Sequence, residues 1–271
     1  MEKLSALPEV NYLYKKIIIT LAFLAVYRIG VHIPIPGVDT VALSEFFKMQ
    51  GANLFGMFNM YTGGGLERFS IVALGVLPYI SASIIAQLLT VVIPYLDQLS
   101  KEGESGRKKI TQYTRYGCVV LALFQGYMIA SGLENADFQG TSLVTSGGLM
   151  WRLMSAISLA AGTAFIMWIG EQITDKGVGN GISLIIFCGI VAGLPRIIAN
   201  TYQQYTASEL SILPIVLIII ICIVVCGWVV FMEQGARLIP IQYAKRQVGR
   251  KQYGGHSTHL PLRINSAGVI P

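Results

Sequence analysis

LERFSIVALGVLPYISASIIAQLL, residues 66–89, lies mostly inside an uncharged run that covers residues 69–96. Those 28 residues exceed the roughly 20 that a helix needs to cross a bilayer. Yet Gly75 and Pro78 sit inside the run, and both residue types disfavour a continuous helix. Non-helical backbone at membrane depth persists only where protein or a water-filled cavity surrounds it. The run is therefore expected to divide in two. A short amphipathic piece over about residues 66–74 folds back, and a full span over about residues 76–96 follows. The glycines of YTGGG just before it supply a hinge. A single kinked, tilted helix is the simpler alternative.

The rest of the chain places this run in a membrane setting. Of 271 residues, 54% are hydrophobic and 13% charged, against about 25% charged in a typical soluble domain. The mean hydropathy is +0.61. The net charge of +6 reads as loop charge on one side of a membrane rather than as a nucleic-acid signature. Cys118, Cys188, Cys222 and Cys226 all lie in apolar runs and form no CxxC pair, so they read as small apolar residues. The first residues, MEKLSALPEVNYLYKK, lack the pattern of a cleaved signal peptide, so the first apolar run is expected to stay in the protein.

Charges punctuate the apolar runs and give six expected spans, at about residues 17–36, 76–96, 116–133, 153–170, 178–195 and 210–232. A seventh is expected to begin within residues 264–271. With the N-terminus in the cytoplasm, 15 of the 20 basic residues fall in inside segments, as the positive-inside rule asks. The largest inside segment, residues 233–263, contains AKRQVGRKQYGG and reads as an exposed loop or hairpin.

The motifs RIGVHIPIPGVD, GVLPYISASIIAQLL, EGESGRKKITQYTRYG, GEQITDKGVGNGISLIIFCGIVAGLP and STHLPLRINSAGVIP closely resemble the bacterial SecY family. That family forms the central subunit of a protein-conducting channel. The resemblance runs from the first span to the last residue. It implies an all-α polytopic helical bundle with a re-entrant plug. Family members carry ten spans, so the chain is expected to be the N-terminal half plus the sixth span. The implied function is passage of unfolded secretory polypeptides across the bacterial cytoplasmic (inner) membrane, with lateral release of hydrophobic segments into lipid. The implied partners are SecE, SecG, SecA or the ribosome, signal peptides, nascent polypeptides and membrane lipid. No cofactor, metal or catalytic residue is implied.

Residue by residue, the resemblance assigns the plug to Gly63, Gly64, Gly65, Leu66, Glu67, Arg68, Phe69, Ser70, Ile71, Val72, Ala73 and Leu74. The helix after GVLP becomes part of a lateral gate, with Gln87 near it. Ile80, Ile84, Ile186 and Ile190 match an apolar ring at the channel waist. Each pair is spaced i, i+4 and shares a helix face, and an apolar constriction resists ions by dewetting. Ordinary packing explains the same spacing. Small residues such as Ser81, Ala82, Gly189 and Gly193 read as close-approach positions between helices. Lys245, Arg246, Arg250 and Lys251 are the candidates for docking the ribosome or SecA, and otherwise serve topology. Arg28, inside the first span, reads as a snorkelling or structurally paired charge.

Two other function classes compete. A secondary transporter also uses discontinuous helices, but the acids here cluster at span ends and loops. A hydrolase needs a nucleophile, base or metal set, and no GxSxG or HExxH motif occurs. His256 and His259 lack partners for a metal site.

Overall fold

A computed structural model describes residues 7–49, 54–138, 141–145, 147–207, 211–241, 246–248, 251–253 and 258–263. The chain divides into two compact units, Met1–Ile197 and Ile198–Pro271. Among the described residues, four segments are long and apolar enough to cross a membrane: Glu104–Glu134, Leu149–Lys176, Gly181–Thr206 and Ile212–Gln234. A bent pair, Leu77–Val92 with Pro94–Lys101, meets the same standard when taken together.

The first unit opens with α1 (Leu7–Val31). The helix stops short of the expected end of the first span, because Pro34 and Pro36 follow. Proline lacks the N–H a helix needs, and it pushes the residue before it into extended backbone. Two short helices then precede the segment expected as the plug, α2 (Thr40–Met49) and α3 (Leu54–Tyr61). Asp39 caps α2, its Oδ1 accepting from the Val41 and Ala42 N–H groups at 2.9 and 3.2 Å. Residues 62–76, which include the short piece expected over residues 66–74, form successive turns.

GVLP is a helix start. Gly75 has φ +56, a left-handed conformation that glycine adopts without penalty. Pro78 then occupies the first turn of α4 (Leu77–Val92), where a missing N–H costs nothing. Pro94 makes a second break. Ile93 before it is extended, and α5 (Pro94–Lys101) leaves at 100° to α4. The expected continuous span over residues 76–96 is therefore replaced by a shorter helix and an elbow.

α6 (Glu104–Glu134) and α7 (Leu149–Lys176) form the main helical hairpin. Thr114, Cys118, Ala122, Gly126 and Ala130 are buried along α6. Their spacing of four places small side chains in one row, which lets backbones approach. A Cβ on Gly126 would lie 3.2 Å from Ala156 Cα. Between the two helices, β1 (Asp137–Phe138) pairs with β2 (Thr141–Ser142).

Ion pairs close both ends of this hairpin. Arg115 Nε meets Glu171 Oε1 at 2.7 Å at one end, and Arg152 Nε meets Glu134 Oε2 at 2.6 Å at the other.

α7 turns tightly into α8 (Gly181–Val191) through the DKGVGNG motif. Gly179 has φ +72. Asn180 caps α8, accepting from Ile182 N–H at 3.1 Å. A Cβ on Gly181 would collide with the Gly170 carbonyl, so the glycine-rich motif is the fitting of a tight helix pair. Ala192 and Gly193 separate α8 from α9 (Leu194–Thr206). The boundary between the units falls within α9.

In the second unit, α10 (Ile212–Gln234) has no buried residue. The segment expected as loop or hairpin holds two antiparallel pairs. β3 (Ala236–Ile241) pairs with β6 (Thr258–Arg263), and β4 (Arg246–Val248) pairs with β5 (Lys251–Tyr253). The expected start of a seventh span at residues 264–271 lies outside the described residues.

Candidate functional site: the plug segment and its seat

Residues 62–76 fill a seat built by α1, α3, α7 and α8. Along α1, Tyr27 Oη donates to the Thr62 carbonyl at 3.3 Å, and Arg28 Nη1 donates to the Gly63 carbonyl at 3.0 Å. Arg28 thus directs its charge to a backbone oxygen at the start of the segment expected as the plug. A Cβ on Gly63 would lie 3.0 Å from Gly189 Cα in α8. Gly63 also needs its own glycine, with φ +65.

The middle of the segment is pinned from two sides. The loop after α1 runs antiparallel to it, with Ile35 N–H donating to the Phe69 carbonyl and Ile71 N–H donating to the Ile33 carbonyl, each at 3.0 Å. On the α7 side, a Cβ on Gly162 would collide with the Ile71 carbonyl. Phe69 is fully buried, and its ring stacks on Trp151 with centroids 6.0 Å apart. Trp151 Nε1 donates to the Pro36 carbonyl at 3.0 Å, which fixes the ring beneath Phe69.

Phe69 has φ +45. An L-residue there costs roughly 1–2 kcal/mol, so the surrounding packing holds it. Leu66, Phe69, Ala73 and Leu74 join one hydrophobic cluster with Ile35, Leu43 and Phe47. Val72 and Val76 join another with Tyr27, Val31, Ile166, Ile169 and Ile185. Arg68 alone of residues 63–74 is exposed. Ser70 Oγ is buried without a partner.

The other expected site residues lie on separate elements. Ile80 is half-buried and Ile84 is 39% exposed on α4. Ile186 and Ile190 are half-buried on α8, either side of Gly189, and Ile186 packs against the cluster that holds Val72. Ile186 therefore shares a cluster with Val72 and Val76, whereas α4 packs chiefly on α6. Gln87 is exposed, and its carbonyl accepts from Thr90 Oγ1 at 2.6 Å. Arg246 and Lys251 lie on the β4–β5 pair, with Arg246 opposite Tyr253 and Lys251 opposite Val248. Lys245 and Arg250 lie outside the described residues. Among the described residues, no three His, Cys, Asp or Glu side chains gather as a metal site.

Residues 70–271 match the SecY family model. The chain belongs to the SecY family. The protein translocase subunit SecY of Vibrio cholerae serotype O1 is 52% identical over 267 residues, which is 98% of this chain and 60% of the relative. The chain thus spans about 60% of that SecY protein's length. In fold it is similar to a solved SecY translocation channel whose plug domain stabilises the closed state and maintains a membrane seal. The TM-score is 0.59 at 19% identity, covering 93% of this chain and 52% of the other. It is also similar to Sec61 in a canine ribosome–channel complex, with a TM-score of 0.53 at 17% identity, covering 90% of this chain and 53% of the other. The SecY-type helical bundle is thereby the fold, and the relatives do not favour the secondary-transporter reading.

Proposed function

We propose that this chain forms the N-terminal part of a channel for unfolded secretory polypeptides in the bacterial cytoplasmic membrane, which also releases hydrophobic segments sideways into lipid. The observation that carries the reading is the buried segment of residues 62–76, seated by backbone contacts in a SecY fold. Its turns and its hinge glycines suit a part that leaves its seat and returns. Residues 63–74 act as the plug, Ile80, Ile84, Ile186 and Ile190 contribute to the waist ring, and α4 with Gln87 lines the lateral gate. The protein performs no covalent chemistry and needs no cofactor.

The N-terminus lies in the cytoplasm, as the distribution of basic residues supports. The segment carrying Lys245, Arg246, Arg250 and Lys251 then faces the cytoplasm and docks the ribosome or SecA. Its positive charge suits ribosomal RNA phosphate, and the canine Sec61 likeness is with a ribosome-bound channel. SecE and SecG complete the assembly, as the family resemblance implies.

Site-specific crosslinking tests the reading. Photoreactive residues at Ile84 and Ile190, in a full-length channel carrying this sequence, are expected to capture a secretory polypeptide arrested in transit. The same probe at Val224 on α10, among exposed apolar residues, is the comparison. Capture at Val224 and none at Ile84 or Ile190 contradicts a pore lined by those residues.

A further inference from the structure

We propose that Glu67 is the catch of the plug, and that Arg196 on α9 holds it closed. The inference rests on the plug reading above and adds how its release is controlled. Arg196 Nη1 reaches both Glu67 carboxylate oxygens, at 3.1 and 3.3 Å. Asn59 at the end of α3 holds the same residue twice. Its Nδ2 donates to Glu67 Oε2 at 3.2 Å, and its Oδ1 accepts from the Glu67 N–H at 3.0 Å. The Glu67 side chain is only 13% exposed, whereas Arg196 is 56% exposed. The carboxylate is thus a nearly buried charge whose one ion-pair partner among the described residues reaches in from the surface. Losing that partner leaves a half-satisfied buried charge, which is costly.

The placement makes the pair a coupling device. Arg28 fastens the plug's first turn to α1 through the Gly63 carbonyl, a contact to a backbone oxygen. Arg196 fastens its middle to α9, three residues beyond the break at Gly193. Movement of α9 about that break withdraws the guanidinium from Glu67 while leaving the Arg28 tether in place. Release then frees residues 66–74 and keeps the plug attached at its base. The Arg196 side is open to solvent, so salt screens this contact more than the buried packing around it.

The test is a double-mutant cycle on the full-length channel reconstituted in planar bilayers, with resting ion conductance as the readout. Glu67→Gln and Arg196→Gln are each expected to raise the open-to-closed ratio about threefold to tenfold. The double variant is expected to match Glu67→Gln and to open no more than Arg196→Gln, because it removes the one shared interaction and leaves no unpaired buried charge. Raised salt is expected to increase resting opening of the parent beyond the conductivity of the solution, and to leave Glu67→Gln unchanged. Parent-like opening in both singles overturns the catch, and so does strict additivity in the double. Deletion of residues 63–74 separates the two readings. If the deletion raises conductance and the catch variants do not, the plug stands and the catch falls. If the deletion has no effect, the plug reading itself falls.

Discussion

Phe69→Ala is expected to unseat the plug and raise resting conductance strongly, with little change in the helices around it. The ring is fully buried and lies on Trp151. Truncating a buried phenylalanine costs about 3–5 kcal/mol, and the aromatic pair adds about 0.5–1.5 kcal/mol. A closed state favoured by a few kcal/mol does not survive that loss. Phe69→Gly sharpens the expectation. It removes the same ring but relieves the left-handed backbone at φ +45, which costs an L-residue roughly 1–2 kcal/mol. The glycine variant is therefore expected to leak less than the alanine variant. Conductance in planar bilayers measures both, and equal, parent-like conductance in the two would show that Phe69 does not hold the seat.

Gly162→Ala attacks the same seat from the helix side. The added Cβ has no room, because the Ile71 carbonyl already occupies its place. Alanine improves helix propensity by about 1 kcal/mol, but overpacking against a backbone oxygen costs typically 1–3 kcal/mol. This collision sits at the upper end, since a carbonyl cannot rotate away as a side chain can. The plug, made of turns, yields before α7 does. The expected result is raised resting conductance with the α6–α7 hairpin intact. Gly132→Ala on α6, which has open space around its Cβ position, is expected to leave conductance unchanged and to raise thermal stability slightly. Matching behaviour of the two variants would remove the steric argument.

The break in the long uncharged run was legible because Gly75 and Pro78 carry backbone restrictions that no context removes. Pro94 carries the same restriction and bends α4 into α5 within the residues 76–96 expected as one full span. The α6–α7 ion pairs were also written in the chain. Arg115 and Glu134 bracket one apolar run, and Arg152 and Glu171 bracket the next, so an antiparallel hairpin must bring them together. Asp39 marked the start of α2 as a cap, yet a ten-residue helix beside long spans is easily passed over.

The segment proposed as the plug stands out in the sequence mainly through family resemblance. Its turn structure depends on Phe69 holding a conformation that its own preferences oppose, and only the packing of Trp151, Ile35 and Gly162 imposes that. The partner of Arg28 was invisible for a related reason, since a backbone carbonyl leaves no trace in the sequence. The ring isoleucines stand differently again. Spacing assigns Ile80 with Ile84, and Ile186 with Ile190, to common helix faces, but a waist is made by several helices at once.

The central claim is that residues 63–74 must leave their seat for a polypeptide to pass. A disulfide across the seat tests it most directly. A Cβ on Gly30 would lie 3.4 Å from Val72 Cγ1, close enough for a Gly30→Cys, Val72→Cys pair to bridge with small adjustment. Cys118, Cys188, Cys222 and Cys226 are first replaced by alanine, so that no other thiol competes. Translocation of a secretory polypeptide through the reconstituted full-length channel is measured with the pair oxidised and again after reduction. The account predicts arrest when the bridge is closed and recovery on reduction. Full translocation through a channel shown to be cross-linked would contradict it.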